Sequence, residues 1–286
     1  MVMNSNLIPM INSCYTGLTK SEKKVADIVL KNPKNIIYSS VTDLAEESNV
    51  GEATVLRFCR KMGFKGYQGF KMTLAQSIRD ESDITSEVNE EIKKNDSLQD
   101  VCKKVLNTNI NALNETFSLI DFDTLDRVVS LMVDAKRIMF VGSGTSAISA
   151  FEARTKFMRI LPYVEFNFDA HLQSMAASLM NEKELCIAFS YSGSTKDTID
   201  VLKTAKENGA HTVCITRFAK SPITQFADEV LILGTNEGPL QGGALSTKMA
   251  QLYILDILYT EYFRRTTKVS MSNRNKTAGA VSDKLY

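Results

Sequence analysis

Two short segments of this 286-residue chain concentrate groups that can hold an anion. The first, Gly142-Ser143-Gly144-Thr145-Ser146, follows the apolar run Arg137–Val141. The second, Ser190-Tyr191-Ser192-Gly193-Ser194-Thr195, closes the apolar run that starts at Leu185. Glycines permit a tight turn and a close approach of backbone to ligand. A helix starting straight after such a turn offers unpaired N–H groups and a partial positive charge. The hydroxyls of Ser190, Ser192, Ser194 and Thr195 add donors and acceptors around one point, so a phosphate monoester could be held without a cation. Neither segment fits a nucleotide signature. Ala147 stands where a dinucleotide fingerprint has its third glycine, and no Gly-Lys-Ser/Thr follows. One such loop can be an ordinary strand-to-helix turn. Two at the same edge of a parallel sheet describe a ligand crevice.

A second kind of chemistry lies near the N-terminus. Residues 1–80 carry eleven Lys and Arg against seven Asp and Glu, a net charge of +4, although the whole chain is only +1. Arg57, Arg60, Lys61, Lys65 and Lys71 fall in a stretch with no acid. A local basic surface is a prerequisite for gripping a phosphate backbone, and a solvated face has the same composition. The pattern around it is more specific. Val41–Val50 reads as a short helix ending in a turn, with Leu44 and Ala45 inward and Asn49 suited to left-handed geometry. Glu52–Gly63 reads as a second helix that buries Val55, Phe58 and Cys59, with Gly63 as its C-terminal cap. Thr54, Arg57 and Lys61 are expected on its outer side. Two short helices joined by a tight turn, the second one basic, form a helix-turn-helix. Arg57 can then offer two donors to guanine and Thr54 can meet a base or a phosphate, while Arg60, Lys61, Lys65 and Lys71 are candidate contacts to the DNA backbone.

Acid–base catalysis is poorly provided for. The chain has two histidines. His211 opens an apparent strand, where a structural role is expected, and His171 follows one and could approach the crevice. Glu152 could also line it, but no acid–base pair assembles from the sequence. The five cysteines include no C-x-x-C pair, and Cys186 and Cys214 lie in apolar runs. This suits reduced thiols in a cytoplasmic setting and argues against a disulfide or zinc framework. No cofactor and no metal are expected. The N-terminus lacks a signal-peptide pattern, and no apolar run approaches the roughly 20 residues of a membrane span.

These residues must be positioned by three zones. Residues 1–78 read as helical, with Thr19 and Glu22 at capping-box spacing and Asn32-Pro33 ending the helix between. Residues 79–97 are polar and charged and read as a linker. Residues 98–135 look helical, marked by Val101, Val105, Leu113, Phe117 and Leu125. Strands are then expected at Arg137–Val141, Val164–Phe168, Leu185–Ser190, Thr212–Thr216 and Val230–Leu233, with helices between. Such alternation predicts a doubly wound α/β domain with a five-stranded parallel sheet. A last strong helix is expected at Ala244–Phe263, and the basic polar tail 265–286 is expected to be loosely ordered. The apolar faces of 98–135 and 244–263 suit either the core or a dimer interface.

The run Thr42-Asp43-Leu44-Ala45, Val50, Ala53-Thr54-Val55, and Arg57 through Lys71 closely resembles the N-terminal domain of the RpiR-type transcription regulators. The family usually has Ser where this chain has Gly51, which removes a hydroxyl contact to phosphate but leaves a workable cap. The Ser-x-Ser-Gly-x-Thr pattern of the second loop, with Gly243–Leu252, resembles the SIS sugar isomerase fold over roughly 125–264. The resemblance implies a helix-turn-helix domain at 1–78, a linker at 79–97 and an SIS domain at 98–264. It marks Thr145, Ser146, Ser190, Ser192 and Thr195 as contacts to a sugar phosphate. Ser143, Gly144, Gly193 and Ser194 complete the two loops. The domain order implies a regulator of sugar or amino-sugar metabolism that binds operator DNA as a homodimer or homotetramer and responds to a phosphorylated sugar. A sugar-phosphate isomerase is the alternative that the fold leaves open.

Overall fold

The computed structural model describes residues 7–78, 92–93, 95–235, 237 and 245–284. Most of the expected linker 79–97, and Gly243-Ala244 before the last long helix, lie outside the described residues. The chain divides at Thr108–Asn109 into an N-terminal and a C-terminal compact unit.

The N-terminal unit holds α1 (Leu7–Cys14), α2 (Lys20–Lys31), α3 (Pro33–Ile36), α4 (Val41–Glu47), α5 (Glu52–Lys61) and α6 (Tyr67–Ser77). The expected capping box starts α2: Thr19 accepts from Glu22 N while Glu22 accepts from Thr19 N. A second box, Ser40 with Asp43, starts α4. Asn49 takes φ +50° in the α4–α5 turn, and Gly63 takes φ +85° after α5. Val55, Phe58 and Cys59 join Leu7, Ile11, Val25, Ile36, Leu44, Phe70 and Leu74 in one apolar core. Phe70 packs edge-on to Phe58 with ring centroids 5.6 Å apart, which ties α6 to α5.

Two helices follow, α7 (Leu98–Ser118) and α8 (Phe122–Asp134), where the sequence suggested one helical stretch. Asp121 makes the break, its carboxylate accepting from Thr124 N at 2.8 Å as the cap of α8. The C-terminal unit is built on β1 (Arg137–Gly142), β2 (Val164–Glu165), β3 (Glu184–Phe189), β4 (His211–Thr216) and β5 (Glu229–Ile232). All pairings are parallel, in the order β2-β1-β3-β4-β5. Side chains alternate along each strand. Ile138 and Phe140 enter a core shared with α8, α9 (Thr145–Phe157) and α12 (Leu245–Arg265). Met139 and Val141 enter the opposite core, shared with α10 (Ala170–Ser178) and α11 (Lys196–Glu207). The sheet is therefore doubly wound, as expected.

Two expectations need correction. The strand predicted over Val164–Phe168 stops at Glu165, because Phe166 and Phe168 turn to pack against each other and against Phe151. The tail is not loose: Thr267–Gly279 forms a helix, α13. Its polar side chains satisfy carbonyls near the end of α9, Asn273 donating to Ile160 O and Thr277 to Arg159 O, both at 2.9 Å. A polar composition conceals such anchoring because its partners lie far away in sequence.

Candidate functional site

The strand order places a topological switch point between β1 and β3, with β2 to one side and β4 to the other. Ligands of open parallel sheets bind outside the strand C-termini at such a point. Both hydroxyl-rich loops leave the sheet there, one after Gly142 and one after Phe189, which are register partners. In the first loop Gly144 takes φ +58° and caps α9 without a side chain. In the second, Gly193 takes φ +60°, and an added Cβ would lie 2.1 Å from Ser221 Oγ.

The first loop meets the helix that the second loop starts. Ser143 Oγ and Thr198 Oγ1, the latter in the first turn of α11, share a hydrogen bond at 3.1 Å. Within the second loop Ser192 Oγ accepts from Ser194 N at 3.2 Å, and Ser194 Oγ donates to Ser192 O at 3.1 Å. Gly193 N donates to Ser190 O. Thr195 caps α11 with no side-chain bond to its amides. Ser190 is only 2% exposed, and its hydroxyl has no hydrogen-bond partner among the described residues. Buried hydroxyls are normally paired, so this one stands out at the end of β3.

The first loop is braced by residues that the sequence did not single out. Gln251 of α12 donates to Ser146 Oγ and accepts from Ser149 Oγ at 2.6 Å. Lys248 donates to Thr145 O at 2.5 Å and to Ser149 Oγ at 2.8 Å. Burial holds the Lys248 ammonium below the usual lysine range. A cation near the start of a helix is also opposed by the helix dipole. Gln173 of α10 is bonded to Gly142. Only their distant partners distinguish these residues from ordinary polar positions on helices.

The two histidines lie at opposite edges of the sheet, His171 only two residues from the Gln173 that bonds Gly142. His211 pairs with Leu185 at the opposite end of its strand, and His171 is exposed in the first turn of α10. Among the described residues no cluster of His, Cys, Asp and Glu could hold a metal. Burial pushes the thiols of Cys59, Cys186 and Cys214 up to about 12, so they stay protonated and unreactive. No helix among the described residues is long and apolar enough to cross a membrane.

On α5, Arg57 and Arg60 are exposed, and Lys65 is exposed beyond its end. Three other predicted contacts sit differently. Thr54 is buried, at 8% exposure, and its hydroxyl accepts from Arg57 Nη2 at 3.0 Å, so it orients the arginine from below instead of facing outward. Lys61 reaches back to Gly17 O at 2.7 Å and pairs with Glu22 at 3.1 Å. Lys71 is only 6% exposed and donates to Ser39 O at 2.8 Å. Burial lowers its pKa to about 8, and its ammonium lies 5.5 Å from the Tyr67 ring centroid. Lys71 is therefore a strut between α6 and the start of α4, not part of an outer basic face.

A helix-turn-helix unit joined to a doubly wound sheet with a hydroxyl-lined strand edge defines a two-part, DNA-reading class of regulator. Residues 5–81 match the model of the helix-turn-helix domain of the rpiR family, and residues 131–261 match that of the SIS domain. The chain belongs to the rpiR family of helix-turn-helix transcription regulators. An HTH-type transcriptional regulator of Haemophilus influenzae is 36% identical, the match covering 98% of each chain. The HTH-type transcriptional regulator HexR of Escherichia coli is 31% identical over 98% of this chain and 96% of its own. The structure of the Vibrio vulnificus NanR protein complexed with ManNAc-6P aligns over 98% of this chain and 100% of its own, at 30% identity and a TM-score of 0.85. The protein is a transcription regulator with an SIS domain, and the Haemophilus influenzae and Escherichia coli relatives carry that regulator name.

Proposed function

We propose that this regulator reads operator DNA with α4 and α5, and that a phosphorylated sugar, an amino-sugar phosphate foremost, binds between the two hydroxyl loops and modulates that reading. The observation that carries the effector half is the buried, unpartnered Ser190 hydroxyl at the switch point. At the same edge of the sheet are the Ser143–Thr198 bond, the first turns of α9 and α11, and the bond from Lys248 to Thr145 O. NanR, similar over 98% of this chain, has a structure in complex with ManNAc-6P. The sugar phosphate works by population shift: it must bind one arrangement of the regulator better than the other. Homodimers or homotetramers in the cytoplasm would set two readers on paired half-sites. The domains are proposed at 1–78 and 98–264, with 79–97 linking them.

The test is a thermal-shift panel of hexose and amino-sugar phosphates, ManNAc-6P included, followed by operator gel shifts with each ligand that binds. A ligand at a hundred times its Kd should stabilise the protein by about 2.7 kcal/mol and raise its melting temperature accordingly. The same ligand should shift the operator titration. No response to any member of the panel would remove the effector reading.

The DNA half separates two lysines. Lys65→Ala should lower the salt dependence of operator affinity by about one unit of slope, whereas Lys71→Met should leave that slope alone. Lys71→Met should instead change stability. The folded-state pKa of Lys71, about 8, lies below its unfolded value of 10.5. The charged form is thus penalised in the fold at and below pH 8, by about 3 kcal/mol before its hydrogen bond offsets part of this. Wild-type stability should rise between pH 8 and 10.5, and the rise should vanish in Lys71→Met. Equal pH–stability curves for the two proteins would contradict the buried placement.

A further inference from the structure

The sheet has a gap beside the first loop. β2 is two residues long, and its pairing with β1 ends at Met139 opposite Glu165. On its other side β1 stays paired with β3 as far as Gly142 opposite Phe189. The last peptide of β1 therefore lacks a strand neighbour on the β2 side. A buried backbone group left unpaired costs about 1–3 kcal/mol.

Gln173 fills the gap. It is 2% exposed, and its side-chain amide faces both backbone groups of Gly142. Gln173 Oε1 accepts from Gly142 N at 3.4 Å, and Nε2 donates to Gly142 O at 3.0 Å. Nε2 also donates to Asn167 O at 2.7 Å, which ties in the segment that leads to α10. The amide thus substitutes for the missing stretch of strand. Gly142 in turn lies under the first turn of α9, since a Cβ added to it would come within 3.0 Å of Ser146 O. Fixing Gly142 fixes where Ser143, Gly144, Thr145 and Ser146 start.

We propose that Gln173 is a positioning residue for the effector site, its amide pairing with Gly142 so that the first loop is pre-shaped for the phosphorylated sugar. The proposal deepens the effector reading above and rests on it for the ligand. Pre-shaping matters because a site held in its bound form spends less of the binding energy on ordering. It also ties α10 to the start of the loop, as Lys248 and Gln251 tie α12 to its later residues.

The test compares full-length wild type with Gln173→Met, a variant of similar length with no amide. Hydrogen exchange is followed in peptides covering Gly142–Ser146 and, separately, Ser192–Thr195, with no ligand, with inorganic phosphate and with ManNAc-6P. In ligand-free Gln173→Met the first loop should exchange at least about tenfold faster, because its strand-end anchor is gone, while the second keeps its wild-type rate. The Kd for ManNAc-6P should weaken by about tenfold or more. Unchanged exchange in the first loop overturns the proposal. So does equal acceleration in both loops, which would mark a general loss of stability. So does faster exchange with an unaltered Kd. Wild type that ignores phosphate and every sugar phosphate of the panel above, while Gln173→Met loosens only the first loop, keeps the positioning role and defeats the effector reading instead.

Discussion

Gly193→Ala should lower stability by about 3 kcal/mol and abolish the effector response, because two costs coincide there. The first is conformational. Gly193 takes φ +60°, where a residue with a Cβ pays roughly 1–2 kcal/mol. The second is steric. The added methyl would lie 2.1 Å from Ser221 Oγ and 2.5 Å from Ser221 Cβ. Ser221 cannot step aside, since it is 2% exposed and its hydroxyl donates to Phe218 O. Nor can the loop, because Gly193 O accepts from Ile223 N at 2.9 Å. Whichever side yields, Ser190 and Ser192 move off their common point. Ser221→Gly in the same chain removes the colliding atoms but not the φ cost. The double variant should therefore recover roughly half of the lost stability, the signature of two residues in direct contact. Melting curves and ManNAc-6P titrations of the three proteins decide it. A single variant that melts and titrates like wild type would mean that the second loop has room which this geometry denies it.

What the sequence revealed and what it hid follow one physical line. Features set by near neighbours were legible. The Thr19–Glu22 box, Asn49 in its turn, Gly63 past the end of α5 and the unbroken apolar run of β1 all depend on residues a few positions apart. The two loops were legible for the same reason, since glycine and hydroxyl density is a local property. Partners set by the fold were not. Lys71 and Ser39 are 32 positions apart, and Lys61 and Glu22 are 39 apart. Lys71 has the composition of a phosphate contact and the position of a strut, and Lys61 stays exposed while it reaches back to Glu22. Thr54 was misassigned more subtly: its place on the helix wheel is near the outer side, but Arg57 folds over it. Around the sheet edge, Gln173, Gln251, Lys248 and Thr198 are single polar residues in otherwise ordinary helices. Only the crossovers of the parallel sheet bring them to the loops. A long amide on the buried face of a helix is the one local signal that could have pointed to Gln173 and Gln251, because a buried amide requires partners.

That requirement makes Ser190 the sharpest probe of the site. Ser190→Ala should move stability and affinity in opposite directions. The hydroxyl is buried and unpaired, so the free protein carries its desolvation cost without a compensating bond. Removing it should leave the melting temperature of the ligand-free protein unchanged or raise stability by about 1 kcal/mol. The backbone bond from Ser190 N to Ile215 O does not involve the side chain, so the end of β3 keeps its place. With a phosphorylated sugar bound, the hydroxyl faces a charged acceptor. A hydrogen bond to such a group contributes about 1.5–3 kcal/mol, so affinity should fall by roughly 10- to 150-fold. Ser192→Ala and Ser194→Ala should behave differently, since those hydroxyls brace the loop and their loss should reduce stability as well. Calorimetric titration with ManNAc-6P, paired with ligand-free melting, separates the two behaviours. A Ser190→Ala protein that loses stability would show that the hydroxyl is structural, and one that binds every sugar phosphate as wild type does would move the ligand away from β3. The fold leaves a buried hydroxyl without a partner at the switch point of its sheet, and the proposed ligand would supply the missing acceptor.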